Sequence, residues 1–394
     1  MALPKALEDM NLRKLSCATA LSTAALLVGL LAAQAAQATT YPVTLTDQAG
    51  RQVTLDHEPK RLVLQDGRDV MMLALLDRDD PFARVEVWNN LERRGDTGAW
   101  PGIVRKWPEA DKIPDMGFGD DGEVDSEKIL AARPDLVIAE RRTEGALENE
   151  GVIQRLAQMH IPLLFVDTFI EPVPGASNSV ALLGKALNRE AEARQYTDFY
   201  ATHLAQLKQM AATVTSKPRV FVEPLAGRSG PDQCCFTHGD VGWGALLDQI
   251  GVINIGGELL HGRTGEVTLE TVLAQKPDVY VMSGLASNRP NAAFAAFGQN
   301  ADQKQIDAAL LRLEHRPGFA ELKAARDGRV YGIWHLFYSH AFNIVGLEYL
   351  AKFSYPTACA SLDPGQTYRE ILTRFTKLPL DTFIFAAKAP AIAP

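Results

Sequence analysis

The signatures that would name a reaction are missing from this chain. No G-x-G-x-x-G is placed after a strand and no G-x-x-x-x-G-K-S/T occurs, which argues against a cofactor dehydrogenase or an NTPase. The lack of a G-x-S-x-G elbow and of H-E-x-x-H argues against a serine hydrolase or a zinc protease. A basic excess is lacking too. The formal net charge is −8, the wrong sign for a general nucleic-acid binder. Apart from one N-terminal run, no apolar stretch is long enough to span a bilayer.

What is present begins with a targeting segment. Lys5, Arg13 and Lys14 precede a run from Leu15 to Ala33 that is rich in Ala and Leu. Ala36-Gln37-Ala38 has the form of a cleavage site, so residues 1–38 read as a signal peptide removed near Ala38. Cys17 precedes the apolar run and makes a poor lipoprotein site. Cleavage leaves Cys234, Cys235 and Cys359 in a compartment that permits disulfides. Their pairing is open: one of the adjacent pair to Cys359, a vicinal bridge, or a free thiol.

The remaining chain has ordinary globular composition, 46% hydrophobic and 22% charged, and its length predicts two or three domains. One stretch occurs twice. Glu127-Lys-Ile-Leu-Ala-Ala-Arg-Pro-Asp-Leu-Val-Ile138 returns as Glu270-Thr-Val-Leu-Ala-Gln-Lys-Pro-Asp-Val-Tyr-Val281, at an offset of 143 residues. Each copy reads as a short helix, a proline stop and a buried strand. Asp125 and Thr268 are placed to cap the helices. Pro59-Lys-Arg-Leu-Val-Leu64 is echoed by Lys217-Pro-Arg-Val-Phe-Val222. The duplication predicts two α/β lobes of similar build.

In order, residues 41–55 predict a hairpin, 62–64 a strand, 70–76 a helix and 85–87 a strand. Residues 89–124 are loop-rich. They are either a ligand-facing segment or a surface loop with Trp100 and Trp107 tucked into the core. Helix is expected over 148–160 and strand over 163–166. Residues 177–214 read as helix, with a break at Asn188. The part from Arg189 to Ala212 would be about 36 Å long and suits a stiff connector. The second lobe adds a polar loop from Glu223 to Asp240, a helix over 243–250, strands over 252–255 and 329–333, and a helix over 343–353. The Ala/Pro-rich tail 386–394 is expected to be disordered.

In open α/β sheets ligands bind at the C-terminal ends of strands. The polar and aromatic residues there are Arg68, Glu140, Arg141, Arg142, Arg228, His238, Ser283, Trp334, His335, Tyr338 and His340. Arginine suits anionic oxygen ligands, and Trp and Tyr supply flat walls with a polar edge. An alternative is a metal-dependent enzyme using Cys234, His238, His335 and His340, although they lack a zinc-ligand spacing.

The two repeats, Ile161-Pro-Leu-Leu-Phe-Val-Asp167, Leu183-Gly-Lys-Ala-Leu-Asn-Arg-Glu-Ala-Glu-Ala193 and Asp327-Gly-Arg-Val-Tyr331 resemble, in this order, the periplasmic substrate-binding proteins of ABC importers for ferric siderophores, haem and vitamin B12. The resemblance implies an α/β fold of two Rossmann-like lobes, joined by a single long helix, with the ligand cleft between them. The expected division is an N-terminal lobe over 39–176, a connecting helical segment over 177–216 and a C-terminal lobe over 217–394. It also implies a monomeric periplasmic protein with no catalytic step and no cofactor, partnered by a membrane-embedded ABC permease and by no nucleic acid. Docking to that permease would use Glu127 and Glu270. Haem members often ligate iron through a tyrosine before the first repeat, where Phe118 stands here. The loops around Cys234 and Trp334 look like those of iron-complex binders. The expected ligand is therefore a ferric-siderophore-type complex, its iron inside a chelate rather than on protein side chains, with a haem, corrinoid or molybdate-like oxyanion as alternatives.

Overall fold

The computed structural model describes residues 38–390, apart from residue 96 and residues 118–123 and 288–292. The signal segment, except Ala38, and Phe118 therefore lie outside the described residues. A hairpin opens the chain, β1 (Val43–Thr46) against β2 (Gln52–Leu55). The first lobe is built on a parallel sheet of β3 (Leu62–Leu64), β4 (Val85–Trp88), β5 (Leu136–Glu140) and β6 (Leu163–Val166), in the order β4-β3-β5-β6.

The alternation of these strands shows why they are apolar throughout. Leu62 and Leu64 face one hydrophobic cluster and Val63 the other; Leu136 and Ile138 are divided from Val137 and Ala139 in the same way. Successive side chains point to opposite faces, and here both faces are covered.

The second lobe repeats this topology. β7 (Arg219–Glu223), β9 (Ile253–Asn254), β11 (Val279–Gly284) and β13 (Val330–Trp334) lie in the order β9-β7-β11-β13, again parallel. A final strand, β15 (Ala386–Lys388), adds antiparallel to the β13 edge. This corrects the expectation of a disordered tail for residues 386–388: the open edge of β13 supplies the backbone partners that composition cannot reveal. Short ribbons pair β8 (Phe236–His238) with β10 (Thr264–Glu266), and β12 (Gly298–Gln299) with β14 (Phe383–Ile384).

Between the lobes run helices Pro172–Ala186 and Glu190–Ala212. Asn188 takes the left-handed conformation (φ 57°) between them, at the expected break. The first is broken near its start by a non-helical Val173 (φ −129°, ψ 112°), and regular helix, opened by Pro174, runs on from there, a little earlier than expected. The expected helix over 148–160 is split by Gly151 (φ 69°) into Glu144–Asn149 and Val152–Gln158. Tyr196 and Tyr200 on the long helix bond Ala341 O (2.5 Å) and Asn343 Oδ1 (2.8 Å), fastening it to the second lobe.

Residues 89–112 are more regular than the expected loop. They hold helices Leu91–Gly95 and Trp100–Lys106 and a 3-10 turn, Pro108–Lys112. Trp100 and Trp107 are buried among Phe82 and Trp88. Among the described residues, no helix is long and apolar enough to cross a membrane.

Candidate cleft between the two lobes

Both repeats put their strand ends at one place. In each, a capped seven-residue helix (Ser126–Ala132 and Leu269–Gln275) ends on a left-handed basic residue, Arg133 or Lys276. The following strand, β5 or β11, carries Glu140 or Ser283 at its C-terminal end.

The ends of the two sheets face each other. Gly242 N donates to Phe169 O (2.8 Å), Asn343 Nδ2 to Pro172 O (2.8 Å) and Thr97 N to Ala286 O (3.1 Å), all across the lobes. Phe169 meets the rings of His238 (5.6 Å) and Tyr338 (5.9 Å).

On the first lobe the cleft is a charged network. Asp66, in the loop after β3, accepts from Arg68 Nε (2.9 Å) and Nη2 (2.5 Å) and from Arg142 Nη2 (2.7 Å). Burial would raise the Asp66 carboxyl, but the charges and hydrogen bonds of the two guanidiniums outweigh it and hold it below the usual carboxylate range. Arg141 reaches Asp167 (3.2 Å) and Glu171 (3.4 Å). Glu140 is buried and accepts from Thr168 Oγ1 (2.6 Å) and Thr168 N (3.2 Å). Burial, and then the charge of Asp66, push Glu140 up to about 7. Asp69, also buried, is pushed well above the usual range by burial and then by the charges of Glu140 and Asp66.

The second lobe contributes histidines and rings. Ser283 Oγ accepts from Leu225 N (3.0 Å) and shares a hydrogen bond with His335 Nδ1 (2.8 Å). His238 Nδ1 accepts from Trp243 N (3.2 Å) and His340 Nδ1 from Phe342 N (3.3 Å). Burial, aided by the charges of Arg228 and Arg68 respectively, lowers His238 and His340 to about 3. Both are neutral at physiological pH, and with Nδ1 occupied the ring hydrogen sits on Nε2. Tyr338 joins His238 (5.1 Å), His335 (4.9 Å) and Trp243 (5.6 Å), and Trp334 packs on His340 (5.8 Å). Arg228 stands apart, its guanidinium over Phe236 (4.0 Å) and 3.3 Å from Glu266.

Of the expected site residues, Arg68, Arg142, His238, His335, Tyr338 and His340 are thus linked through direct or shared neighbours. Glu140 and Ser283 are internal and hold their neighbours in place. Asp66, Asp69, Thr168 and Phe169 were missed, since nothing local marks a loop acid or a lone ring as part of a site. Glu127 and Glu270 are exposed in the first turns of their helices.

Cys234 and Cys235 are bonded to each other, and Cys359 is a buried free thiol. Among the described residues, the ligand atoms of the three histidines and Cys234 do not converge; the single metal-sized group is Glu223 with Cys234 and Cys235. Glu223 is already forked by Arg316 (2.7 and 2.8 Å) and the cysteines are oxidised to a disulfide. A histidine–cysteine metal centre is therefore ruled out as the organising chemistry.

Comparison with known proteins agrees with this architecture. The sequence is 25% identical over 298 residues to an uncharacterized ABC transporter substrate-binding lipoprotein, YvrC, of Bacillus subtilis, covering 74% of this chain and 78% of that one. The fold superposes on the TroA-like periplasmic binding protein FepB from Veillonella parvula (TM-score 0.78, 24% identity, 89% and 100% of the two chains). It also superposes on the Haemophilus influenzae molybdate periplasmic binding protein MolA (TM-score 0.63, 17% identity, 88% and 100% of the two chains). The sequence profile of the periplasmic binding proteins matches residues 66–334. With twin parallel sheets, a helical bridge and a polar cleft where the strands end, the chain belongs to the periplasmic binding protein family, the non-enzymatic solute-binding components of ABC transporters.

Proposed function

We propose that this protein captures a ferric chelate of the siderophore type in the periplasm, after its signal segment is cleaved near Ala38, and delivers it to an ABC importer. The observation that carries the reading is the state of two cleft histidines, His238 and His340. Each has Nδ1 accepting from a backbone amide, Trp243 N or Phe342 N, and so offers an Nε2–H donor rather than a lone pair. A metal ion needs the lone pair; the oxygen shell of a metal complex needs the donor. Arg68, Arg141 and Arg142 add guanidinium donors, and Phe169, Trp334 and Tyr338 add flat surface for an organic chelator. Glu127 and Glu270, one on each lobe, are the proposed contacts with the permease.

Native mass spectrometry and an absorption spectrum of protein isolated from its own periplasm test the reading. A visible charge-transfer band and the mass of a ferric chelate are expected. A Soret band, or tight binding of molybdate with no affinity for any ferric chelate, overturns it.

A further inference from the structure

The first described residues lie against the joint between the two bridging helices. Thr39 N donates to Asn188 Oδ1 (3.0 Å), and Thr39 Oγ1 donates to the Glu190 carboxylate. Two residues on, Tyr41 Oη donates to Ala186 O (3.0 Å). One short segment thus touches the last residue of helix Pro172–Ala186, the left-handed Asn188 and the first residue of helix Glu190–Ala212. Ala38 is exposed, so among the described residues the anchoring starts at Thr39.

The other charges around this segment are already matched. Arg84 pairs with Glu58 (2.9 Å) and Asp77 (2.8 Å), Arg189 with Asp77 (2.8 Å) and Lys60 with Glu58, while Glu192 acts on Arg78. Glu190 has no ion-pair partner among the described residues; its carboxylate takes the hydroxyl of Thr39. An acid in the first turn suits the helix dipole, but that role needs no contact with Thr39. Hydrolysis of the Ala38–Thr39 peptide bond breaks its C–N bond. Water supplies the hydroxyl of the Ala38 carboxyl group and a hydrogen to the nitrogen. A proton passed from acid to amine then leaves a carboxylate on Ala38 and an ammonium on Thr39. An amide with one hydrogen, bonded to Asn188, becomes a cation with three, beside an acid that lacks a counter-ion.

We propose that Asn188 and Glu190 form an acceptor site for the α-ammonium group that signal cleavage creates on Thr39, so that processing itself fastens the mature N-terminus to the joint of the bridging helices. The bond to Asn188 sets the segment in place, and the new charge pairs with Glu190. The inference rests on the cleavage after Ala38 given above and is independent of the ligand. A partner carboxylate favours the charged amine and raises it above the value of about 8 that is ordinary for an α-amine. The stability so gained is fully present below about pH 8 and is lost as pH rises through the raised value.

N-terminal mass analysis of protein isolated from its own periplasm is expected to give Thr39 as the first residue. Any other first residue overturns the assigned cut, and the proposal with it. The acceptor is tested on the chain from residue 39 onward, with its α-amine either free or acetylated by an N-terminal acetyltransferase. Acetylation keeps the N–H that Asn188 accepts and removes the charge. In the free chain, an NMR titration of the Thr39 amine is expected to show about threefold higher proton affinity than in Glu190→Gln. Glu190→Gln keeps an acceptor for Thr39 Oγ1, so a merely structural role for the side chain would leave that titration unmoved. Acetylation is expected to lower the thermal midpoint at about pH 7 but not at about pH 10, and Glu190→Gln to abolish the difference. An amine that titrates alike in wild type and variant, or acetylation that costs as much at the higher pH, overturns the proposal. Should Glu190→Gln fail to fold, the pH dependence of the acetylation effect decides alone.

Discussion

Arg316 holds Glu223 in a two-point fork, Nη1 to Oε1 at 2.7 Å and Nη2 to Oε2 at 2.8 Å, with both side chains at most 2% exposed. Tyr280 donates a third bond to the same carboxylate (2.7 Å). The fork lies at the C-terminal end of β7 and ties the turn after helix Gln303–Glu314 to the sheet. Removing one partner strands a buried charge. Arg316→Met is therefore expected to lower stability by about 3–5 kcal/mol. Combining it with Glu223→Leu should cost less than the sum of the two single changes, because neither charge is then left alone. Urea unfolding of the four proteins measures both terms.

His238 and His340 set the acid limit. Each is neutral in the fold, with its pKa lowered to about 3 by burial, whereas in the unfolded chain it titrates near 6.5. The unfolded state binds more protons over that interval, so stability is full above about pH 6.5 and is lost as pH falls towards 3. His340→Asn keeps an acceptor for Phe342 N and removes the titration. It is expected to move the acid-unfolding midpoint to lower pH. A proton NMR titration should show neither ring charging between pH 5 and 8; a charge change in that range would contradict the tautomers assigned to the cleft.

Cysteine chemistry gives a direct count. In protein lacking residues 1–38, Cys234 and Cys235 are bonded and Cys359 is buried, its thiol pushed up by burial. A thiol reagent is expected to label no residue in the native state, one after unfolding, and three after unfolding with a dithiol reductant. One native label on Cys234 or Cys235 would mean that the vicinal bond is absent.

The legible parts of this structure were those encoded by neighbours in sequence. Asp125 and Thr268 cap their helices because a short oxygen side chain three residues before a free amide suffices. Asn188 breaks the helical run through its own tolerance of positive φ. The cleft was legible as a location, since strand ends are readable, but not as a circuit. Asp66 looks like any loop acid until Arg142, 76 residues on, bonds it. Arg316 sits in a plain turn, with nothing near it to betray a partner 93 residues away. β15 depends on an edge that only the folded sheet creates.

Docking through Glu127 and Glu270 separates from ligand capture. Both acids are exposed and sit in first helical turns, where they also favour the helix dipole. Backbone and Thr268 hydrogen bonds hold the Glu270 carboxyl below the usual range. Glu127→Ala with Glu270→Ala is expected to abolish uptake in cells while leaving ligand affinity unchanged. Thr268→Ala controls for helix damage: it removes the cap on Thr271 N (3.2 Å), should cost about 1 kcal/mol, and should leave uptake intact. Uptake that survives the double change would remove these acids from the docking surface.

The Pro-Asp of each repeat makes unequal predictions for two residues at equivalent positions. Asp135 accepts from Lys60 N (2.8 Å) and Arg61 N (2.9 Å), the amides just before β3. Asp278 accepts from Arg219 N alone (2.8 Å). The difference has a covalent cause: Pro218 stands where the first lobe has Lys60, and proline has no N–H to donate. Both arginines also reach the end of the repeated helix, Arg61 to Arg133 O and Ala132 O, and Arg219 to Gln275 O and the Gln275 side chain. Asp278 has in exchange an ion pair with Lys323 (3.2 Å), but that partly exposed pair contributes little. Asp135→Ala should therefore destabilise by about 2–3 kcal/mol and Asp278→Ala by about 1–2 kcal/mol, read from urea midpoints at constant m. Pro218→Ala restores the missing donor and should narrow the gap when each aspartate is then replaced. If Asp278→Ala instead costs as much as Asp135→Ala, the amide pattern does not account for the repeated aspartate.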